Sequence, residues 1–235
     1  MVRVKICGIR NEEDLNTAVA AGADAVGFLV GQVHASPSFI LPGTAARLAT
    51  ALPPYVQPVL VTHLTEPAEI LDLVSRTGIY TIQLHGGSTP EQIQPVREYL
   101  DQMGKIIVAM HVGDRLPGEE LIHASAYEEF ADAFLLDTFD PVSGKVGGTG
   151  KTHNWKISSE FVRSSGKRVI LAGGLNTENL EKAIQSVQPF GVDVNTSLRP
   201  LGTLDAKLAQ TFVQVAHNSH PEPLIAAPQS DVIKK

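Results

Sequence analysis

The 235-residue chain carries 19 Lys and Arg against 25 Asp and Glu, a formal charge of −6 with an isoelectric point near 5.7. That balance excludes a broad nucleic-acid surface, which shows a basic stripe; with 43% hydrophobic and 19% charged residues it is the composition of a globular protein with a substantial core. A single cysteine excludes an intrachain disulfide, no apolar run is long enough to span a bilayer, and the start lacks the basic, apolar and small-residue succession of a signal peptide. The sequence therefore predicts a reducing, cytoplasmic setting.

Taken in order, short β-branched runs alternate with capped helical patterns. The first predicted strand covers 2–7 (VRVKIC) and ends on the lone Cys7. Asn11-Glu-Glu-Asp then has the form of a helix start, and "AAGADAVGF" at 20–28 puts Gly22 at a left-handed helix end just ahead of a strand at 24–30. Further strands are predicted at 57–62, 79–84, 105–110, 132–137, 168–172 and 191–194, with helix starts at Thr65-Glu-Pro, Thr89-Pro-Glu and Asn176-Thr-Glu-Asn. Runs apolar on both faces mark parallel strands buried on both sides. Eight such βα units close most naturally into a single (β/α)8 TIM barrel over 1–215, an open doubly wound sheet with fewer strands being the alternative. The stretch 216–235, rich in Pro, Ser and His without period, reads as a C-terminal tail. No repeat or second domain is visible.

Barrel chemistry sits at the C-terminal ends of the strands. Cys7 ends the first strand, where it is either a small apolar residue closing the strand or a nucleophile or base. Asp137 ends the sixth, and a carboxylate after "AFLL" points to a functional role over a structural anchor because buried acids are costly. Gly173 and Gly174 follow the seventh strand and "NTSLRP" at 195–200 follows the eighth, the address where barrels bind phosphate on backbone N–H groups at a helix start. The candidate phosphate-binding set is therefore Gly173, Gly174, Asn195, Thr196 and Ser197. "GKVGGTGKT" at 144–152 fails the P-loop spacing, since five residues before Gly150 stands Lys145, and it reads as a mobile loop over the pocket. The eight histidines are scattered and no metal-ligand spacing appears, so no metal is expected. His85, in "QLHG" after the fourth strand, is either a site residue or a loop hydrogen-bonder.

In order and spacing, "VKICGIR", "AAGADAVGF", "SPSFI", "IQLHGG", "LLDTFDPVSGKVGGTGKTHNW", "VILAGGLNTENLEKAI" and "FGVDVNTS" resemble the signature segments of phosphoribosylanthranilate isomerase over residues 2 to about 205. The resemblance implies a cofactor-free (β/α)8 barrel of tryptophan biosynthesis that converts an N-(5-phosphoribosyl)anthranilate into an aminodeoxyribulose phosphate by an Amadori rearrangement. It further implies Cys7 as base and Asp137 as acid. One of each suffices, because the reaction protonates the ring oxygen and then removes the C2 proton. The thiolate needs a nearby positive group, for which Lys5 qualifies if it faces the pocket. The implied partner is a phosphorylated small molecule, with neither nucleic acid nor membrane, as a monomer or a homodimer.

Two segments depart from the family pattern. Where the family reads S-P-R-[YF], its arginine holding the anthranilate carboxylate, this chain has Ser36-Pro37-Ser38-Phe39. Where the family reads D-V-S-S-G-V-E, it has Asp193-Val194-Asn195-Thr196-Ser197-Leu198-Arg199. Ser38, His85, Asp193 and Arg199 are accordingly the candidate substrate-contacting residues. Either Arg199 or His34 supplies the missing charge and the substrate is retained, or the scaffold acts on, or merely binds, a different phosphorylated sugar.

Overall fold

The computed structural model describes residues 1–33, 35–112, 124–140, 145–146, 152 and 154–219. Its strands are β1 (Arg3–Cys7), β2 (Ala25–Leu29), β3 (Gln57–Thr62), β4 (Thr81–Leu84), β5 (Lys105–Val112), β6 (Ala133–Asp140), β7 (Lys145–Val146), β8 (Arg168–Leu171) and β9 (Gly191–Val194). All except β7 pair in parallel in the order β5-β4-β3-β2-β1-β9-β8-β6, and β5 pairs with β6 to close the ring. That closure makes it an eight-stranded barrel and rules out the open doubly wound sheet. The two-residue β7 pairs antiparallel with Phe139–Asp140, which carries β6 past Asp137, where the apolar run predicted its end.

Seven helices are described around it: α1 (Glu12–Ala21), α2 (Pro42–Thr50), α3 (Pro67–Thr77), α4 (Pro90–Leu100), α5 (Trp155–Ser164), α6 (Leu180–Val187) and α7 (Ala206–Asn218). Their starts follow from local chemistry. Asn11 accepts the Asp14 N–H, Thr89 and Gln92 form a reciprocal capping box, and α2, α3 and α4 each open on a proline whose missing N–H costs nothing there. Gly22 ends α1 in the left-handed region at φ 89°. None of the described helices is long and apolar enough to cross a membrane.

Strand alternation separates two apolar layers. Val4, Ile6, Val26, Phe28, Leu60, Ile82, Leu84, Phe134 and Leu136 pack outward under the helices, whereas Cys7, Leu29, Val59, Val61, Ile107, Ala109, Leu135 and Ala172 fill the barrel interior. The inward parity of β1, β4, β5, β6 and β9 therefore contains Lys5, Gln83, His111, Asp137 and Asp193. Polar residues in otherwise apolar strands are thus delivered to the barrel axis by parity alone.

Of the stretch expected to be a tail from 216, residues 216–218 belong to α7, which continues through Asn218. Ala209, Phe212, Val213 and Ala216 are buried at helical spacing, so "AHN" completes an apolar face that is invisible when those residues are read by themselves. Residues 220–235 lie outside the described residues. The same helix closes the N-terminal end of the barrel: Asp24 accepts the Val4 N–H at 2.8 Å, pairs with Arg3 at 2.6 Å and meets His217 Nε2 at 2.9 Å.

Burial pushes the Asp24 carboxyl up, but His217, the Val4 N–H and Arg3 outweigh it and hold the group below the usual carboxylate range. Its stabilisation is therefore present above the unfolded-state carboxylate range and lost as the pH falls through the folded value. Asp24→Asn should lower the unfolding free energy by about 1 kcal/mol at neutral pH in urea titrations, with the deficit shrinking as the pH falls through the folded Asp24 carboxyl's lowered range. A deficit that persists undiminished in acid would show that charge at Asp24 is not what holds α7.

Candidate active site

Lys5 and Asp193 are register partners on neighbouring strands β1 and β9, and both side chains turn inward. Lys5 Nζ lies 2.8 Å from Asp193 Oδ1, with both side chains at least nine-tenths buried. Cys7 stands two residues further along β1, one layer nearer the mouth, and its register partner is Gly27. A Cβ on Gly27 would fall 2.6 Å from Cys7 Sγ and 3.1 Å from Lys5 Nζ, so the glycine of "DAVGF" is the hole that lets thiol and ammonium share one space.

The charges follow from that packing. Burial pushes the Cys7 thiol up to about 11 and Asp193 adds to this, against the opposing pull of the Lys5 ammonium and the Gly8 N–H. Burial also opposes the charge on Lys5, but Asp193 and Cys7 keep it protonated; Asp193 in turn is raised by burial against the pull of Lys5. Without substrate the sulfur is a thiol beside a preformed cation. Lys5 thus faces the pocket, as the thiolate argument required.

On the far wall Asp137 of β6 is the register partner of His111 of β5. Its Oδ1 accepts the Thr138 N–H at 2.7 Å and its Oδ2 lies 3.3 Å from His85 Nε2. Gln83 Nε2 lies 3.0 Å from His85 Nδ1. An amide nitrogen only donates, so Nδ1 accepts, and the ring proton resides on Nε2, aimed at Asp137. Burial pushes the Asp137 carboxyl up, yet His85, the Thr138 N–H and His111 outweigh it and keep it a carboxylate. The structure brings the His85 ring between Gln83 and Asp137 at the barrel mouth.

The loops after β8 and β9 lie side by side. Gly173 has φ 81° and Gly174 φ 64°, and a Cβ on Gly173 would lie 2.1 Å from Thr138 Oγ1, so only glycine passes there. Asn176 accepts the N–H groups of Glu178 and Asn179, forming a turn ahead of α6, which starts at Leu180. Asn195 leads into a 3-10 turn over Thr196–Leu198, and Ser197 Oγ donates to the Leu175 carbonyl at 2.6 Å, tying the two loops together.

Arg199 does not reach toward the β2 loop. Its Nη1 pairs with both Asp14 oxygens at 3.0 and 3.1 Å, its Nη2 donates to the Gly8 carbonyl at 2.8 Å and its Nε to Asn195 Oδ1 at 3.2 Å. A guanidinium so committed clamps the Cys7–Gly8 turn from behind. Asp14 also takes Arg10 at 3.1 Å. Ser38 is buried where a Cβ on Gly8 would meet its Oγ at 2.9 Å and Asn195 at 2.7 Å, so it packs against that turn. His34 and most of 144–152 lie outside the described residues. Among the described residues no group of three His, Cys, Asp or Glu is placed to hold a metal ion.

Sequence reasoning missed Asp193 as the partner of Lys5, and also Gln83, His63 and His111. The parity of Lys5 with Cys7 was a usable signal. His111 was hidden because β5 was ended at 110, and His63 because it follows β3.

A closed (β/α)8 barrel with a thiol, a carboxylate and glycine-rich loops at one mouth belongs to the class of barrel enzymes acting on small molecules. Residues 4–215 match the family model of N-(5'-phosphoribosyl)anthranilate (PRA) isomerase, and the chain belongs to that family. It is 42% identical to N-(5'-phosphoribosyl)anthranilate isomerase 2 of Methanosarcina mazei, over 92% of this chain and 95% of that protein. The crystal structure of phosphoribosyl anthranilate isomerase from Thermotoga maritima superposes with a TM-score of 0.78 at 37% identity, covering 92% and 99% of the two chains. A crystal structure of a phosphoribosyl anthranilate isomerase in complex with reduced 1-(o-carboxyphenylamino)-1-deoxyribulose 5-phosphate superposes with a TM-score of 0.73 at 35% identity, covering 92% and 99% of the two chains.

Removing Lys5 alone strands a buried carboxylate, so Lys5→Met should be strongly destabilised, by about 3–5 kcal/mol. The double variant Lys5→Met/Asp193→Asn removes both charges. It should melt close to the parent but lose about 100-fold in isomerase turnover, the rising limb of its pH profile displaced upward. A double variant with parental turnover and pH profile would remove Lys5 from the account of Cys7.

Proposed function

We propose that the protein isomerises N-(5'-phosphoribosyl)anthranilate by an Amadori rearrangement, with Asp137 as acid and Cys7 as base. The observation that carries the reading is that Cys7, sharing the Gly27 space with the Lys5 ammonium, and Asp137, held against His85, open on the same barrel mouth. A thiol at Cys7 and a carboxylate at Asp137 together hold one proton, which is what one acid and one base require.

The assigned roles need that proton on Asp137. Excluding water raises both groups, so the exchange requires the substrate's own contacts to favour protonated Asp137, with the Lys5 ammonium beside the sulfur offsetting the rise at Cys7. Asp137 protonates the furanose oxygen, the C1–O bond opens, and the nitrogen lone pair forms the C1=N iminium. The iminium acidifies the C2 hydrogen, Cys7 takes it, and the electron pair forms the enolamine. Tautomerisation to the ketone at C2 returns the protons, so the conversion is a net isomerisation.

The phosphate is taken by backbone N–H groups of Gly173–Gly174 and Asn195–Ser197. The side-by-side loops with positive-φ glycines support this subsite, and neutral donors suit a chain of net charge −6. A second reading, action on a different phosphorylated sugar, is favoured by one observation: Ser38 packs against the Gly8 turn and Arg199 is spent on Asp14.

Turnover of phosphoribosylanthranilate by purified protein, followed by loss of anthranilate fluorescence, separates the two. Cys7→Ser and Asp137→Asn should each lower kcat/KM by about 100-fold or more with unchanged circular dichroism. A folded parent without turnover supports the second reading, and a folded variant with parental turnover refutes the residue roles.

A further inference from the structure

Asp14 takes two guanidinium groups where one would balance its charge. Arg10 already meets Oδ2 through its backbone N–H at 3.2 Å and its Nε at 3.1 Å. Arg199 adds a second cation, and its side chain and that of Asp14 are both more than nine-tenths buried. Burying a guanidinium against a carboxylate that is already paired adds little net stability. What sets Arg199 apart is the rest of its fork. Its Nη2 donates to the Gly8 carbonyl and its Nε to Asn195 Oδ1, so one planar group joins the turn after β1, helix α1 and the loop after β9.

The Gly8 carbonyl lies one peptide beyond Cys7. The N–H of its own peptide plane, on Ile9, donates to the Gly27 carbonyl at 3.0 Å, and Gly27 is the register partner of Cys7. The Gly8–Ile9 peptide is therefore held on both sides, by β2 and by Arg199. Gly8 itself stands in the left-handed region at φ 75°, with Asn195 and Ser38 occupying the space a side chain would need. A turn held in this way fixes the direction of the N–H before it. That Gly8 N–H bonds the Cys7 sulfur and favours its ionised form. The titratable groups facing the sulfur are Lys5 on its own strand and Asp193 on β9, with Asp137 and His85 acting on Asp193 from β6 and the end of β4; β2 presents only Gly27.

We propose that Arg199 is a positioning residue for the reaction: through the Gly8 carbonyl it holds the Cys7–Gly8 turn so that the Gly8 N–H stays on the sulfur as the base ionises. This rests on the role given to Cys7 in the isomerase reading above. All three guanidinium nitrogens are engaged by protein acceptors, and Arg199 acts on the chemistry only through the turn.

Two variants test it. Arg199→Lys keeps a cation for Asp14 but has no fork to reach Gly8 and Asn195 together, and Arg199→Met/Asp14→Asn removes both charges while Arg10 keeps the Gly202 carbonyl. Thermal denaturation identifies the folded proteins. Each should lower kcat on phosphoribosylanthranilate about tenfold and move the rising limb of its pH profile up by about one pH unit. KM should stay within about twofold of the parent, because Ser197 still ties the loop after β9 to the Leu175 carbonyl. A loss of packing alone would lower kcat equally at every pH. Folded Arg199→Lys or double-variant protein with the parental kcat and limb, or with kcat lowered equally at every pH, overturns the positioning role and leaves the isomerase reading standing. A folded parent without turnover overturns the isomerase reading instead. Positioning is then decided in the free protein by selectively 13Cβ-labelled Cys7: a higher ionisation midpoint in Arg199→Lys than in the parent sustains it, and an equal midpoint overturns it.

Discussion

The Lys5–Asp193 ion pair is the interaction on which the mouth of the barrel depends. Two opposite charges held 2.8 Å apart inside an apolar barrel gain little net stability, because each loses its hydration. What the pair does is join the first strand to the last and keep an ammonium beside a sulfur. Gly27 makes this possible, since any side chain there would occupy the space that Cys7 and Lys5 share. The cysteine is thus poised, neutral in the free protein, with the counter-charge for its ionised form already in place.

A second consequence concerns the anions the site must hold. Arg199 and Arg10 are drawn to Asp14 behind the Gly8 turn, Lys5 to Asp193, and Asp137 is itself a carboxylate. The mouth is therefore short of uncommitted positive charge among its described residues. The glycine-lined turns after β8 and β9 offer the backbone N–H groups proposed above as the phosphate's donors. Recognition by neutral donors costs less desolvation than bringing in a cation, and it demands closer geometry.

Much of this was legible in the sequence. All eight barrel strands show as β-branched runs, because strands covered on both faces have no polar side to obscure them. Cys7, Asp137, Gly173 and Asn195 could be placed because a strand end in a barrel is an address. What stayed hidden depends on contacts distant in sequence. Arg199 on a loop after the last strand looked free to cross toward Ser38, and only the packing of α1 brings Asp14, 185 positions away, against its guanidinium. His63 and His111, whose rings meet His85, fell beyond predicted strand limits, where periodicity is weakest. The end of α7 was missed for a similar reason: its last turn is apolar only on the face that meets the barrel.

The central claim is that Cys7 is a thiol in the free protein and becomes a thiolate, the proton moving to Asp137, only when substrate occupies the mouth. With a single cysteine, a selectively labelled 13Cβ gives one resonance that reports its ionisation directly. The account predicts the thiol position unchanged up to about pH 9 in the free protein, and a shift to the thiolate position at neutral pH on saturation with the reduced product analogue. A thiolate resonance at neutral pH in the free protein, or a thiol that persists in the saturated complex, would contradict it.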